Sequence, residues 1–223
     1  MTVFLLDWRT SKGNGKGKGN ATTKATATTA EIKESGMQRV MVFNNVSVDG
    51  YIADEKGDMS WARNDDAEWN EFVQGNASGK GMLLFGRKTY DLMVSFWPTS
   101  AAIAMMPEVA EKMNSAKKVV FSKSMETAGW KNTTLMKDDP VEAVRKMKAK
   151  AGEGMVIFGS GTIVAQLADA GLIDEYQIAV VPVALGGGRT MFEGLEKKLK
   201  LKLTKHRVFG NGSVLLHYEP VQV

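Results

Sequence analysis

Cysteine is absent from all 223 residues, and histidine occurs only twice, as His206 and His217. Without cysteine there is no disulfide framework and no thiolate–metal site, which suits a reducing cytoplasm. Two late histidines leave little for a histidine-rich metal centre or a serine–histidine triad, so no metal is expected. No apolar run approaches the ~20 residues that span a bilayer, so no membrane role is expected either.

Excess charge is also scarcer than the total suggests. The formal net charge is +4, but residues 1–36 hold six lysines and arginines against Asp7, Glu31 and Glu34. That leaves about +1 for residues 37–223, which is no electrostatic footprint for nucleic acid. Residues 10–30 are Thr, Lys, Gly, Ala and Asn without apolar periodicity, a composition that cannot offset chain entropy by burial. Two regions are therefore expected: a disordered basic extension over 1–36 and a folded domain over 37–223. The apolar patch Val3 to Leu6 is too short for a signal-peptide core. A transit peptide, an upstream extension before a start at Met37, and a basic arm touching RNA are three readings of the leader.

What is present is organised around Met155 to Leu167. Met155 to Phe158 reads as a buried strand, Gly159-Ser160-Gly161 as a turn, and Thr162 onward as an amphipathic helix ended by Gly171. Strand, glycine turn and helix aim backbone N–H groups at an anion, and glycine lets the backbone come close. Two readings stand: a turn holding the pyrophosphate of a dinucleotide, and a tight βα turn with no ligand.

Before it, Val40 to Phe43, Gly81 to Phe85 and Lys118 to Phe121 read as strands. Asp65 or Asp66 can cap a helix whose inner face is Trp69, Phe72 and Val73. A helix runs through Leu92 and Met93, Pro107 suits a helix first turn, and Asp139-Pro140 starts a helix carrying Val141, Val144 and Met147. After it, Tyr176 to Val183 is a strand in which Pro182 implies an edge or a bulge. Leu185 to Arg189 is a flexible glycine loop. Leu199 to Phe209, the turn Asn211-Gly212, and Ser213 to Tyr218 make a closing hairpin. The alternation predicts an α/β domain with a mixed sheet.

Ligands of open α/β sheets gather beyond the C-terminal ends of the strands. Four loops there carry suitable groups: Asn44 to Gly50, Gly86 to Thr89, Ser122 to Ser124 and Gly159 to Thr162. Together they describe a polyanionic ligand with a reacting end near Asp49. Each of Arg87, Lys88 and Lys123 is also explained as a solvated surface charge, Asp49 as a turn-former before Gly50, and Trp61 as core.

From about Met37 to Pro220 the chain resembles the dihydrofolate-reductase-like domain that forms the reductase half of the bacterial bifunctional riboflavin deaminase–reductase, and above all its stand-alone relatives. The likeness rests on Ser47-Val-Asp-Gly-Tyr-Ile-Ala53, Leu84-Phe-Gly-Arg-Lys-Thr-Tyr90, Phe158-Gly-Ser-Gly-Thr162, and Leu172-Ile-Asp-Glu-Tyr176 running into Val181-Pro-Val-Ala-Leu-Gly-Gly-Gly188. It implies a three-layer α/β/α fold with a mixed sheet and a C-terminal antiparallel hairpin, and an NADPH site. In that site Gly86, Arg87, Lys88 and Thr89 approach the adenosine ribose and its 2′-phosphate. Ser122 and Lys123 form a second adenosine-side loop, and Gly159, Ser160, Gly161 and Thr162 the pyrophosphate turn. Asp49 falls at the catalytic end, with Asn44, Ser47 and Trp61 around the substrate. An arginine beside the 2′-phosphate favours NADPH because its fork matches phosphate.

The implied activity is hydride transfer to a small pyrimidine- or pteridine-like heterocycle, of the 5-amino-6-(5-phosphoribosylamino)uracil reductase type. The alternative is a non-catalytic module that kept the nucleotide site. A homodimer is expected by resemblance. Two departures bear on substrate. Tyr90 to Trp97 replaces the family's Asp-Asp-Pro stretch, and Phe158 stands where a glutamate tends to precede the glycine turn. A true dihydrofolate reductase is not expected, because its pterin-binding acid is not identifiable in the helix from Asp65 to Gln74, where Glu68 and Glu71 are the candidates.

Overall fold

The computed structural model describes residues 38–62, 66–76 and 81–221, with the backbone alone for 73–76. The expected extension over 1–36, Asp65 and the side chain of Val73 lie outside the described residues. Ten strands and six α-helices are described, in the order β1 (Val40–Ser47), β2 (Tyr51–Ala53), α1 (Ala67–Asn76), β3 (Met82–Gly86), α2 (Arg87–Val94), α3 (Ser100–Met105), α4 (Pro107–Ser115), β4 (Lys118–Phe121), β5 (Thr133–Met136), α5 (Pro140–Lys148), β6 (Met155–Phe158), α6 (Gly161–Asp169), β7 (Glu175–Val181), β8 (Arg189–Thr190), β9 (Leu201–Val208) and β10 (Val214–Pro220). A short 3-10 turn spans Ser60–Ala62.

Eight strands form one sheet in the order β5-β4-β3-β6-β1-β7-β10-β9. The pairs from β5 to β7 are parallel, and β10 runs antiparallel to both β7 and β9. Strands buried on both faces read as continuous apolar runs. β1 is the clearest case, buried at all eight positions between β6 and β7. Alternate side chains feed two separate cores. Met41, Phe43, Phe85 and Phe158 pack toward α1–α4, while Val40, Val42, Leu84 and Ile157 pack toward α5 and α6. This is the three-layer dihydrofolate-reductase-like architecture, closed by the β9–β10 hairpin.

Local chemistry fixes the helix starts. Asp66 caps α1 by accepting from Trp69 N–H (2.8 Å). Pro107 occupies the first turn of α4, and Asp139 accepts from the N–H groups of Val141 and Glu142 at the start of α5. Asp174 accepts from Val40 N–H (2.7 Å) and pairs with Lys148 Nζ (2.6 Å), tying α5 to the start of β1.

Two sequence expectations are corrected. Pro182 marks neither an edge nor a bulge: β7 lies between β1 and β10 and ends at Val181, so the proline follows the last ladder residue. Arg189 belongs to strand β8, which pairs with β2 as a small antiparallel ribbon, rather than to a flexible loop. The helix α3 and the edge strand β5 were not anticipated. Glu68 accepts from Arg207 (2.8 Å) and Gly210 N–H (3.3 Å), in line with the expectation that no pterin acid is present in this helix.

Candidate functional site

Three loops leave the C-terminal ends of the adjacent strands β4, β3 and β6 side by side. They line one cleft of ≈ 820 Å³, which is closed on its other side by the β2–β8 ribbon and the turn after β2. All ten residues assigned to a cofactor are on its wall: Gly86 to Thr89, Ser122 and Lys123, and Gly159 to Thr162.

The glycine turn is built from the inside. Asn44, buried within β1, accepts from Gly159 N–H (2.6 Å) and donates its amide to Gly159 O (3.4 Å). Gly159 and Ser160 both take positive φ, 55° and 54°. A left-handed backbone is easy for glycine and costs a serine about 1–2 kcal/mol. Ser160 is held there by three bonds. Its Oγ accepts from Gly86 N–H (2.8 Å) and donates to Thr89 Oγ1 (2.9 Å), and its own N–H donates to Thr89 Oγ1 (3.1 Å). The Thr89 and Ser160 hydroxyls thus stitch the β3 and β6 loops together.

Ser160 then caps α6, whose first turn is short of acceptors. Ile163 and Val164 donate to Ser160 O. Among the described residues no acceptor pairs with the N–H groups of Gly161 and Thr162. Two free donors at a helix N-terminus on the cleft wall are suited to an anion. Gly161 is also sterically required, since a Cβ there would strike the Thr190 carbonyl oxygen.

Around this turn the cleft is basic. Arg87 is half-exposed and its Nε donates to Asp91 (2.7 Å). Among the described residues no acceptor pairs with its terminal nitrogens, so its fork is steadied at the stem and open at the tip. Lys88 and Lys123 are exposed on the same wall. Ser122 Oγ accepts from Met125 N–H (3.1 Å), which folds the loop carrying Lys123.

The residues expected at the reacting end lie elsewhere. Asp49, Asn44, Ser47 and Trp61 are not on the cleft wall. Asp49 accepts from Ser47 Oγ (2.6 Å) and from the N–H groups of Leu185 and Gly186 (2.7 Å to the latter). The Ser47 hydroxyl foremost, then Gly186 N–H, holds its carboxyl down to about 2. Such a group is a poor proton donor or acceptor near neutrality. The Asp49 carboxylate clamps the glycine loop at 185–186. Ser47 is buried and spent on Asp49 and on Tyr51 N–H. Asn44 is spent on Gly159. Trp61 is half-buried and donates Nε1 to Asp58 O (3.2 Å).

Sequence reading missed the opposite wall: Ile52, Ala53, Glu55, Lys56, Met59, Arg189 and Glu193. The signal available was the run Gly186 to Gly188. Gly188 has φ 141° and lies so close to β2 that a Cβ would collide with the Ala53 carbonyl oxygen. A backbone approach that close brings Arg189 to the ribbon.

A family model described as the RibD C-terminal domain matches residues 38–215. The chain belongs to the RibD C-terminal domain family. Its relatives include YyaP of Bacillus subtilis (strain 168), 26% identical over 182 residues that cover 81% of this chain and 94% of YyaP. YwjB of the same organism is 25% identical over 181 residues, covering 81% and 97%. Neither relative is characterised. A solved protein of Shewanella sp. PV-4, ascribed to riboflavin biosynthesis, superposes with TM-score 0.64 at 25% identity, covering 83% of this chain and all of that one. The deaminase/reductase of Thermotoga maritima superposes with TM-score 0.55 at 16% identity, covering 83% of this chain and 57% of that one, a likeness of fold. For this RibD C-terminal domain, no helix among the described residues is long and apolar enough to cross a membrane.

Proposed function

We propose that this RibD C-terminal domain is an NADPH-dependent reductase of a small pyrimidine- or pteridine-like heterocycle. The observation that carries the reading is the convergence of Gly86–Thr89, Ser122–Lys123 and Gly159–Thr162 on one cleft. Its ≈ 820 Å³ lies within the range of about 300–1,000 Å³ usual for cofactor sites. The residues fit the group. Unpaired N–H groups of Gly161 and Thr162 suit a diphosphate. The open tip of Arg87, with Lys88 and Lys123, suits a 2′-phosphate.

A bound nicotinamide would supply the hydride. The chain's own part is to bind, orient and exclude water. Arg87 and Lys88 select the phosphorylated ribose. The turn Gly159 to Thr162 fixes the diphosphate, and Ile52, Ala53 and Met59 give the opposite wall an apolar lining. Asp49 serves as a fixed anion that keeps the loop at 185–186 in place.

Arg87→Ala tests the assignment by calorimetric titration. One charge-assisted phosphate contact amounts to about 1.5–3 kcal/mol, so NADPH affinity should fall about tenfold to a hundredfold while NADH affinity barely moves. An unchanged NADPH affinity would show the 2′-phosphate site to be misplaced. NADPH binding with no oxidation across a panel of pyrimidines and pteridines would favour the alternative, a nucleotide-binding module without turnover.

A further inference from the structure

Arg189 stands on the wall opposite the three cofactor loops, in the same cleft as Gly161 and Thr162. Three features fix its position. Its backbone lies in β8 and pairs with Ala53 of β2. Gly188, just before it, is pressed against the Ala53 carbonyl at φ 141°. Glu193 accepts from one terminal guanidinium nitrogen at 3.0 Å, in an i, i+4 pair that is itself on the cleft wall. A guanidinium carries five N–H donors, so this one contact orients the fork and leaves its other edge for a ligand.

The same segment touches the start of α6. A Cβ built on Gly161 would meet the Thr190 carbonyl, the Met191 carbonyl at 3.4 Å and Glu193 Cβ at 3.4 Å. The residues directly after Arg189 therefore rest on the turn whose N–H groups lack acceptors. An anion seated at Gly161 and Thr162 lies between a helix N-terminus and the ribbon that carries Arg189. Of the other cations on the cleft wall, Arg87, Lys88 and Lys123 follow β3 and β4, and Lys56 is exposed in the turn after β2.

We propose that Arg189 is a further cofactor-binding residue, clasping the dinucleotide diphosphate from the β2–β8 ribbon with Glu193 as its positioning partner. The inference rests on the cofactor reading above. It divides the work between two arginines. Arg87 distinguishes the phosphorylated from the plain ribose, whereas Arg189 holds the part that NADPH and NADH share. Lysine at 189 would keep the charge and lose the fork.

The test is titration of wild-type, Arg189→Ala and Arg189→Lys protein with NADPH and, separately, with NADH, with thermal melts as the check on folding. Arg189 is only partly buried, so the variants should melt near the wild type. The expected result is a loss of about tenfold to a hundredfold for both dinucleotides in Arg189→Ala, by similar factors, with part of each recovered in Arg189→Lys. A loss confined to NADPH would assign Arg189 to the 2′-phosphate and overturn the inference. Unchanged affinity for both would overturn it as well. If wild-type protein binds neither dinucleotide, the cofactor reading itself fails, a result distinct from either of these.

Discussion

Lys118 opens β4 almost wholly enclosed, at 1% exposure. Its ammonium donates to the carbonyl oxygens of Met113 (2.8 Å), Ala116 (2.7 Å) and Asn114 (3.2 Å) at the end of α4, and lies 4.4 Å from the centre of the Trp130 ring. A cation on helix C-terminal carbonyls is favoured by the helix dipole. Lys118→Met should cost about 2–3 kcal/mol of stability, since buried carbonyls are left without donors; a denaturant melt that matches the wild type would contradict this. Asp49 is the opposite case, an exposed carboxylate held low by hydrogen bonds. Its folded pKa of about 2 lies below the ~3.9 of an unfolded aspartate. The clamp's contribution is then fully present above about pH 4 and lost as pH falls through 2. Asp49→Asn should be less stable than wild type by a constant margin from neutrality to about pH 4, with the gap closing only below that. A gap that closes by pH 5 would mean the carboxylate is not held as described.

Among the elements, the strand–turn–helix from β6 into α6 was legible in the sequence because its cues are local: four apolar residues, two glycines, then an amphipathic run. The loops after β3 and β4 that reach the cleft were legible for the same reason, each following a short apolar strand. What escaped depends on distant pairing or on exposure. β5 is an edge strand that is only half-buried, so Thr133 to Met136 shows no apolar run. Nothing local indicates that Arg189 and Thr190 pair with residues near Tyr51, more than a hundred positions earlier. Asn44 was expected in the loop after β1 but lies within the strand, and only Asp49 is in the turn that follows it. Sequence shows a side chain's chemistry but not which backbone donors reach it first. Glycine substitutions probe these contacts at the element scale. Gly161→Ala should push a methyl into the Thr190 carbonyl and cost about 1–3 kcal/mol. Gly129→Ala, where a Cβ meets nothing within 4 Å, should change stability by less than about 0.5 kcal/mol. Equal melts for the two variants would refute the close packing of β8 on α6.

At the scale of the whole molecule, the strand order makes the site. Residues 86–89, 122–123 and 159–162 are far apart in the chain and meet because β4, β3 and β6 are neighbours in the sheet. β1 lies next to β6 and brings Asn44 under the glycine turn. The β2–β8 ribbon, outside the main sheet, supplies the facing wall. The cleft thus has a basic, donor-rich floor from the parallel sheet and a separate roof from the ribbon. Such an arrangement suits an extended dinucleotide lying across several strand ends. The most direct measurement is a titration of purified wild-type protein with NADPH and with NADH, followed by calorimetry. Tight NADPH binding, with NADH weaker by about tenfold to a hundredfold, is the predicted result. Equal and weak binding of the two would contradict a dinucleotide site built on Arg87, Lys88 and the Gly159 to Thr162 turn.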